Sequence, residues 1–185
     1  DARKLLETTG FTFLHAPYFH EVLRGLGPVR RALGTRTVFN VLGPLCNPAL
    51  PPYAVIGVSS LRTARAMAQA AAGLSMERVF VVHGALGWDE PTPVGPFHLL
   101  EVARNRVVEG MRDPLGVGLP RCHPNELRGG SASTNARALS DVFAGLRGAH
   151  RDALVLGAAL ALEVSGRCRD MGEGVAAASE ALDDG

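Results

Sequence analysis

The sequence is poor in cysteine and has no long apolar run. Its three cysteines, Cys46, Cys122 and Cys168, form no Cys-x-x-Cys pair and are too scattered for a disulfide framework. The most hydrophobic stretch, residues 153–164, has only the length of a buried helix and contains Glu163. We therefore expect a cytoplasmic protein with no membrane partner.

The sequence also lacks an excess of charge of either sign. Nineteen basic and 18 acidic residues give a formal net charge of +1, with the two signs interspersed. Such a chain offers no basic stripe to neutralise phosphates, so we expect no nucleic-acid partner. It has no Gly-x-Ser-x-Gly elbow and no evident Cys-His pair, and we expect no zinc site because four histidines stand outside metal-ligand spacing, namely His15, His98, His123 and His150.

What is present is an alternation of strand-like and helix-like segments. Residues 53–58 and 78–83 are short β-branched runs, and the alanine-rich residues 61–74 between them predict a helix. Strands joined by a helix lie parallel. Residues 97–102 and 106–111 predict a further strand pair. The fold class is therefore α/β, with a mostly parallel sheet flanked by helices on both faces.

Three helices are predicted after the strands. Residues 133–146 follow a Ser133/Thr134 cap signal, residues 151–165 form a nearly apolar and hence buried helix, and residues 171–182 form a surface helix. Glycine and proline concentrate in residues 43–52, 84–96 and 113–130, and long connections of this kind usually carry function in α/β folds.

Six segments resemble, in order, the anthranilate phosphoribosyltransferase family. They are F-L-H-A-P-Y-F-H at 13–20, P-V-R-R-A-L-G-T-R-T-V-F-N-V-L-G-P-L-C-N at 28–47, V-V-H-G at 81–84, G-W-D-E at 87–90, G-G-x-x-x-x-N-A at 129–136 and R-D-A at 151–153. The resemblance implies transfer of the phosphoribosyl group of phosphoribosyl pyrophosphate (PRPP) to anthranilate, with release of pyrophosphate, in tryptophan biosynthesis. Same-fold alternatives are a pyrimidine nucleoside phosphorylase-like enzyme and a non-catalytic nucleic-acid-binding homologue.

The adjacent carboxylates of Asp89 and Glu90 are the candidate metal ligands. They lie in a Gly/Pro-rich loop after a predicted strand, and Mg²⁺ prefers a few carboxylates together with waters and substrate phosphates. The resemblance implies that this pair helps hold the Mg²⁺ that accompanies PRPP. An isolated Asp-Glu pair is more often a solvated acidic turn.

The candidate anthranilate site comes from the first part of the chain. A guanidinium can hold a benzoate carboxylate through two parallel hydrogen bonds. The resemblance implies that Arg30 does so, with Ala16, Pro17 and His20 along the substrate channel. Without the resemblance, Arg30 would be interpreted as a surface helix terminus.

The sequence departs from the family pattern at Glu21, Ser131 and Gly157, where the family usually has proline, an acidic residue and asparagine. No G-T-G-G-D phosphate loop occurs in the sequence, which starts at Asp1. We therefore expect residues 1–185 to be the C-terminal part of the phosphoribosyltransferase α/β domain, without the helical domain through which the family forms homodimers. We expect this chain alone to be inactive.

Overall fold

The computed structural model describes residues 2–19, 32 and 43–184, and its contacts divide the chain into two compact units, Asp1–Leu50 and Pro51–Gly185. The first unit contains helix α1 (Ala2–Thr9), the short helix α2 (Ala16–Phe19) and a 3-10 turn at Gly43–Cys46. In the part of the chain that the structure describes, no helix is both long enough and apolar enough to cross a membrane.

The second unit is an α/β unit built around one four-stranded sheet. Its elements follow the predicted order closely, as β1 (Tyr53–Gly57), α3 (Leu61–Ala72), β2 (Arg78–His83), β3 (Phe97–Ala103), β4 (Arg106–Arg112), α4 (Ala132–Phe143), α5 (Ala149–Val164) and α6 (Met171–Asp184). The α/β class with flanking helices is confirmed.

The expected predominance of parallel pairing does not hold among the described strands. The strand order is β1-β2-β3-β4, and only β1 and β2 are parallel. β3 runs antiparallel to β2 because residues 84–96 reverse the chain at the end of the sheet where β2 finishes, without a crossover helix. β4 pairs with β3 through a two-residue turn, in which Arg104 and Asn105 have φ of 49° and 61°.

Helices cover both faces of this sheet, as predicted. On one face Phe80, Val82 and Leu99 join a buried cluster with α5 and α6. Side chains alternate along a strand, so Val79 and Val81 project to the other face, where α3 contacts β2, β3 and β4. The sheet is thus held between α3 and the α5/α6 layer.

Helix α4 differs in detail from the prediction. Ser131 caps it, with the Ser131 hydroxyl accepting a hydrogen bond from the Thr134 N–H at 3.2 Å, so the cap lies two residues before Ser133. The apolar residues that predicted this helix are mostly exposed, including Phe143 and Leu146, while Val142 is buried. The helical spacing was therefore correct, but most of that apolar stripe does not pack into the core.

Candidate functional site

A tight loop after β2 carries Asp89 and Glu90. The Gly84 N–H donates to the Trp88 carbonyl oxygen at 2.8 Å, and the Trp88 N–H donates to the Ala85 carbonyl at 3.2 Å. Between them the chain reverses through Leu86 and Gly87, whose φ values are 59° and 81°. The loop therefore folds back over the carboxyl ends of the parallel strands, where ligands bind in open α/β sheets.

The residues that follow the carboxylates are anchored in the protein. Thr92 is 2% exposed, and Pro93 is fully buried. The Thr92 hydroxyl has no hydrogen-bond partner among the described residues. Asp89 and Glu90 are thus held between β2 on one side and a buried segment on the other.

A cleft of about 720 Å³ lies beside this loop. Residues from the loop form one wall, and two helical stripes form the others. In each helix the lining residues recur at helical spacing and so share one face. They are Asn135, Ala138, Leu139 and Val142 from α4, and His150, Ala153, Leu154, Gly157 and Ala158 from α5. The cleft is mainly apolar, with two carboxylates in the wall formed by the loop.

The Asn-Ala segment of the family motif has a structural role at this cleft. The Asn135 side-chain oxygen accepts a hydrogen bond from the Gly130 N–H at 2.8 Å. A Cβ added at Gly129 would approach that same side chain at 3.4 Å. Asn135 therefore ties the Gly129-Gly130 turn to the first turns of α4.

The two carboxylates suit a magnesium ion. Asp89 and Glu90 are exposed and make no side-chain hydrogen bond or ion pair with any other described residue. Their oxygens are therefore available, and Mg²⁺ is commonly held by one or two carboxylates plus substrate phosphates and waters. No group of three or more His, Cys, Asp or Glu residues in the described ranges could hold a metal ion.

Two departures from the family pattern can be located in this unit. Gly157 lines the cleft, and a Cβ added there would meet nothing within 4 Å. The glycine therefore leaves space into which a larger side chain could project. Ser131 is the N-cap of α4, a function that an acidic side chain can also perform.

His83 has a structural partner. Its Nδ1 lies 3.0 Å from the Val58 carbonyl oxygen, and its ring stacks against that of His98 with centroids 6.1 Å apart. These contacts are typical of a structural histidine whose ring nitrogen is satisfied by the backbone.

The proposed anthranilate residues are only partly covered by the structure. His20, Glu21 and Arg30 lie outside the described residues. Ala16 and Pro17 are in α2, at the start of that helix. The roles expected for Arg30 and His20 in binding anthranilate therefore stay predictions.

Sequence reasoning did not identify several residues of the cleft. Trp88 and Thr92 are next to the predicted pair, but nothing in the sequence indicates that Thr92 is buried with an unpartnered hydroxyl. His150 and Gly157 reach the cleft through the packing of α5, although the spacing of the α5 stripe could have placed them on one helix face.

Comparisons with known proteins find relatives that match nearly the whole chain. The anthranilate phosphoribosyltransferase of Desulforudis audaxviator is 42% identical over 180 residues, which are 97% of this chain and 52% of the relative. The crystal structure of the Thermus thermophilus enzyme of that name has a TM-score of 0.89 at 38% identity, covering 98% of this chain and 54% of that one. A Saccharomyces cerevisiae structure in complex with PRPP and Mg has a TM-score of 0.85 at 27% identity, covering 98% and 51%.

These matches confirm the resemblance to anthranilate phosphoribosyltransferases. The chain spans about half the length of the curated relatives it matches. The family model described as the a/b domain of a glycosyl transferase family matches residues 1–185. The chain therefore belongs to this glycosyl transferase family and to its α/β domain.

Proposed function

We propose that the whole protein transfers the phosphoribosyl group of PRPP to the amine of anthranilate and releases pyrophosphate, a step of tryptophan biosynthesis. The supporting observation is the Asp89-Glu90 pair, unpaired among the described residues and exposed in a cleft at the carboxyl ends of the parallel strands. The named relatives support the same chemistry, since one of them is in complex with PRPP and Mg.

In this reaction the bond between the sugar C1 and the pyrophosphate oxygen breaks, and a bond from C1 to the anthranilate nitrogen forms. The nitrogen loses a proton, and pyrophosphate leaves with the bonding electrons. Neither step requires a protein nucleophile. Catalysis then depends on positioning two substrates and on stabilising the charge of the leaving group.

Asp89 and Glu90 would hold Mg²⁺ against the pyrophosphate. When bound, the ion neutralises charge that develops on the leaving oxygens. The carboxylates are exposed and lie on an anchored loop, so they can meet the ion without first breaking another contact. The anchored loop would thus present both carboxylates to the ion.

Arg30 would bind the anthranilate carboxylate, with Ala16, Pro17 and His20 along the path to it. Two parallel charge-assisted hydrogen bonds fix both the position and the plane of a benzoate. Anthranilate presents such a carboxylate beside its amine. Arg30 would therefore determine which acceptor is used.

We also propose that the protein works in the cytoplasm. Cys46, Cys122 and Cys168 are all unpaired, in keeping with a reducing compartment.

The test is to follow the loss of anthranilate fluorescence by the whole protein with PRPP and Mg²⁺. The proposal requires consumption that depends on all three components. Phosphorolysis of thymidine without anthranilate consumption would instead indicate a nucleoside phosphorylase. Tight nucleic-acid binding at moderate salt without either activity would indicate a binding protein.

A further inference from the structure

We infer that Gly57 and Gly84 are positioning residues for the Asp89-Glu90 pair. Each glycine is in direct contact with the backbone that carries one of the two carboxylates. The inference rests on the proposed function, because it concerns the same metal site. It assigns the placement of that site to two residues outside the Asp-Glu pair itself.

Gly57 is the last residue of β1 and lies opposite Val82 of β2. A Cβ built at Gly57 would lie 1.6 Å from the Asp89 carbonyl oxygen and 2.8 Å from the Asp89 carbonyl carbon. Real Cβ contacts below 3.0 Å essentially do not occur. A side chain at position 57 would therefore force the Asp89 backbone away by more than an ångström.

Gly84 makes the corresponding contact one residue further along the loop. A Cβ built there would lie 1.9 Å from the Glu90 carbonyl oxygen and 3.1 Å from the Trp88 carbonyl oxygen. The Gly84 N–H also donates to that Trp88 oxygen at 2.8 Å. Position 84 thus has no room for a side chain on the face that meets the loop.

Backbone conformation does not account for these two glycines. Gly84 has φ of −75° and ψ of 169°, an extended conformation that any residue adopts. Gly57 is in a regular strand and has no positive φ. Close approach of another backbone segment is what excludes a side chain at both positions.

The loop cannot easily absorb a displacement elsewhere. Upstream, Gly84 is fixed by β2 and by its bond to Trp88, and downstream Thr92 and Pro93 are buried. A push on the Asp89 or Glu90 carbonyl must therefore move the residue that carries the carboxylate. Magnesium requires near-octahedral ligands at about 2.0–2.1 Å, so an ångström of movement removes a ligand from reach.

The experiment compares the whole protein with its Gly57→Ala, Gly84→Ala and Gly110→Ala variants. Gly110 is the matched control, since it is also a strand glycine without positive φ but a Cβ there would meet nothing within 4 Å. PRPP-dependent anthranilate consumption is titrated with Mg²⁺, and thermal unfolding is recorded for each variant.

We expect the KM for Mg²⁺ to rise at least about tenfold in Gly57→Ala and Gly84→Ala, with kcat recovering in part at high Mg²⁺. Gly110→Ala should keep the wild-type KM within about twofold. A merely structural role would lower the amount of folded enzyme, and hence the apparent kcat, without moving the KM for Mg²⁺.

The outcomes separate this inference from the proposed function. Wild-type turnover that is independent of Mg²⁺ would contradict both. Magnesium-dependent wild-type turnover with an unchanged KM in the two glycine variants would overturn the inference alone. If the alanine variants do not fold, a wild-type crystal structure decides. The distances to measure run from a Cβ built on Gly57 to the Asp89 carbonyl oxygen and from one built on Gly84 to the Glu90 carbonyl oxygen. A distance above 3.4 Å overturns the inference, and distances below 3.0 Å support it.

Discussion

The guanidinium of Arg112, at the end of β4, donates hydrogen bonds to both carboxylate oxygens of Glu163 in α5. One of these bonds, from Nη2 to Oε1, measures 2.8 Å, and Nη1 bonds the other oxygen. Glu163 is only 3% exposed, and Arg78 of β2 adds a bond of 2.7 Å to its backbone carbonyl. An ionised pair thus joins the edge of the sheet to the helix that lines the cleft.

Removal of this carboxylate should destabilise the unit strongly. Glu163→Ala leaves the Arg112 guanidinium half-buried without its partner, and we expect the free energy of unfolding to fall by about 3 kcal/mol. Urea unfolding at neutral pH measures the loss. The control is Glu109→Ala in β4, the strand that also contains Arg112. It breaks an exposed pair with Arg65 and should have a much smaller effect. Equal losses in the two variants would show that the Glu163 pair is not buried as described.

The sequence predicted the elements whose patterns are local. β2 spans the predicted residues, and the β3–β4 hairpin has its turn at the predicted place, because β-branched runs and turn residues act over a few positions. The antiparallel direction of β3 was not predicted, since it depends on where residues 84–96 return to the sheet.

The residues of the candidate site could be proposed from the sequence, but their surroundings could not. Asp89 and Glu90 were proposed as metal ligands through a motif, whereas the burial of Thr92 depends on contacts between distant segments. Glu163 was seen only as a charge within an apolar helix, since its partner Arg112 is 51 residues away in sequence. Pairings over such separations leave no periodic signal in one chain.

Two helical glycines should respond to alanine in opposite ways. Gly157 faces open space in the cleft, so Gly157→Ala should raise stability by roughly 0.5–1 kcal/mol through helix propensity. A Cβ at Gly174 would lie 2.7 Å from the Ala159 carbonyl oxygen, so Gly174→Ala should separate α5 from α6 and cost about 1–3 kcal/mol.

Urea unfolding of Gly157→Ala and Gly174→Ala tests both predictions. Destabilisation of Gly157→Ala would mean that the cleft wall is more tightly packed than the structure shows.

Asp152 should make stability depend on pH. Burial raises the pKa of the Asp152 carboxyl above its ordinary value, although Arg151 and Arg147 partly oppose the shift. The native state therefore binds this proton more tightly than the unfolded chain. As pH rises from about 4, the unfolded state ionises first, and the group's contribution to stability decreases until the folded pKa is passed.

Asp152→Asn should remove the pH-dependent contribution of this carboxyl to stability. The variant should gain stability relative to the wild type as pH rises above about 4, measured by urea unfolding at a series of pH values. A difference in stability that is constant across the series would exclude the shift.

Arg30 should control use of anthranilate in the whole protein. Arg30→Ala removes a two-pronged contact worth on the order of 1.5–3 kcal/mol, so kcat/KM for anthranilate should fall roughly tenfold to a hundredfold. Arg30→Lys should restore little, because an ammonium cannot form the paired bonds. Steady-state kinetics with varied anthranilate measures this, and unchanged kinetics in the alanine variant would remove Arg30 from the site.

The dependence of turnover on Mg²⁺ tests whether Asp89 and Glu90 hold the ion. PRPP-dependent anthranilate consumption by the whole protein is titrated with Mg²⁺ for the wild type, for Asp89→Asn combined with Glu90→Gln, and for the control Asp141→Asn, which alters an exposed carboxylate that does not line the cleft. Substitution of residues that only support a metal ligand costs roughly 10–100-fold in metal affinity, so we expect the double variant to need at least that much more Mg²⁺. Its unfolding should be unchanged, because both side chains are exposed. A double variant with wild-type dependence on Mg²⁺ would show that Asp89 and Glu90 do not hold the ion.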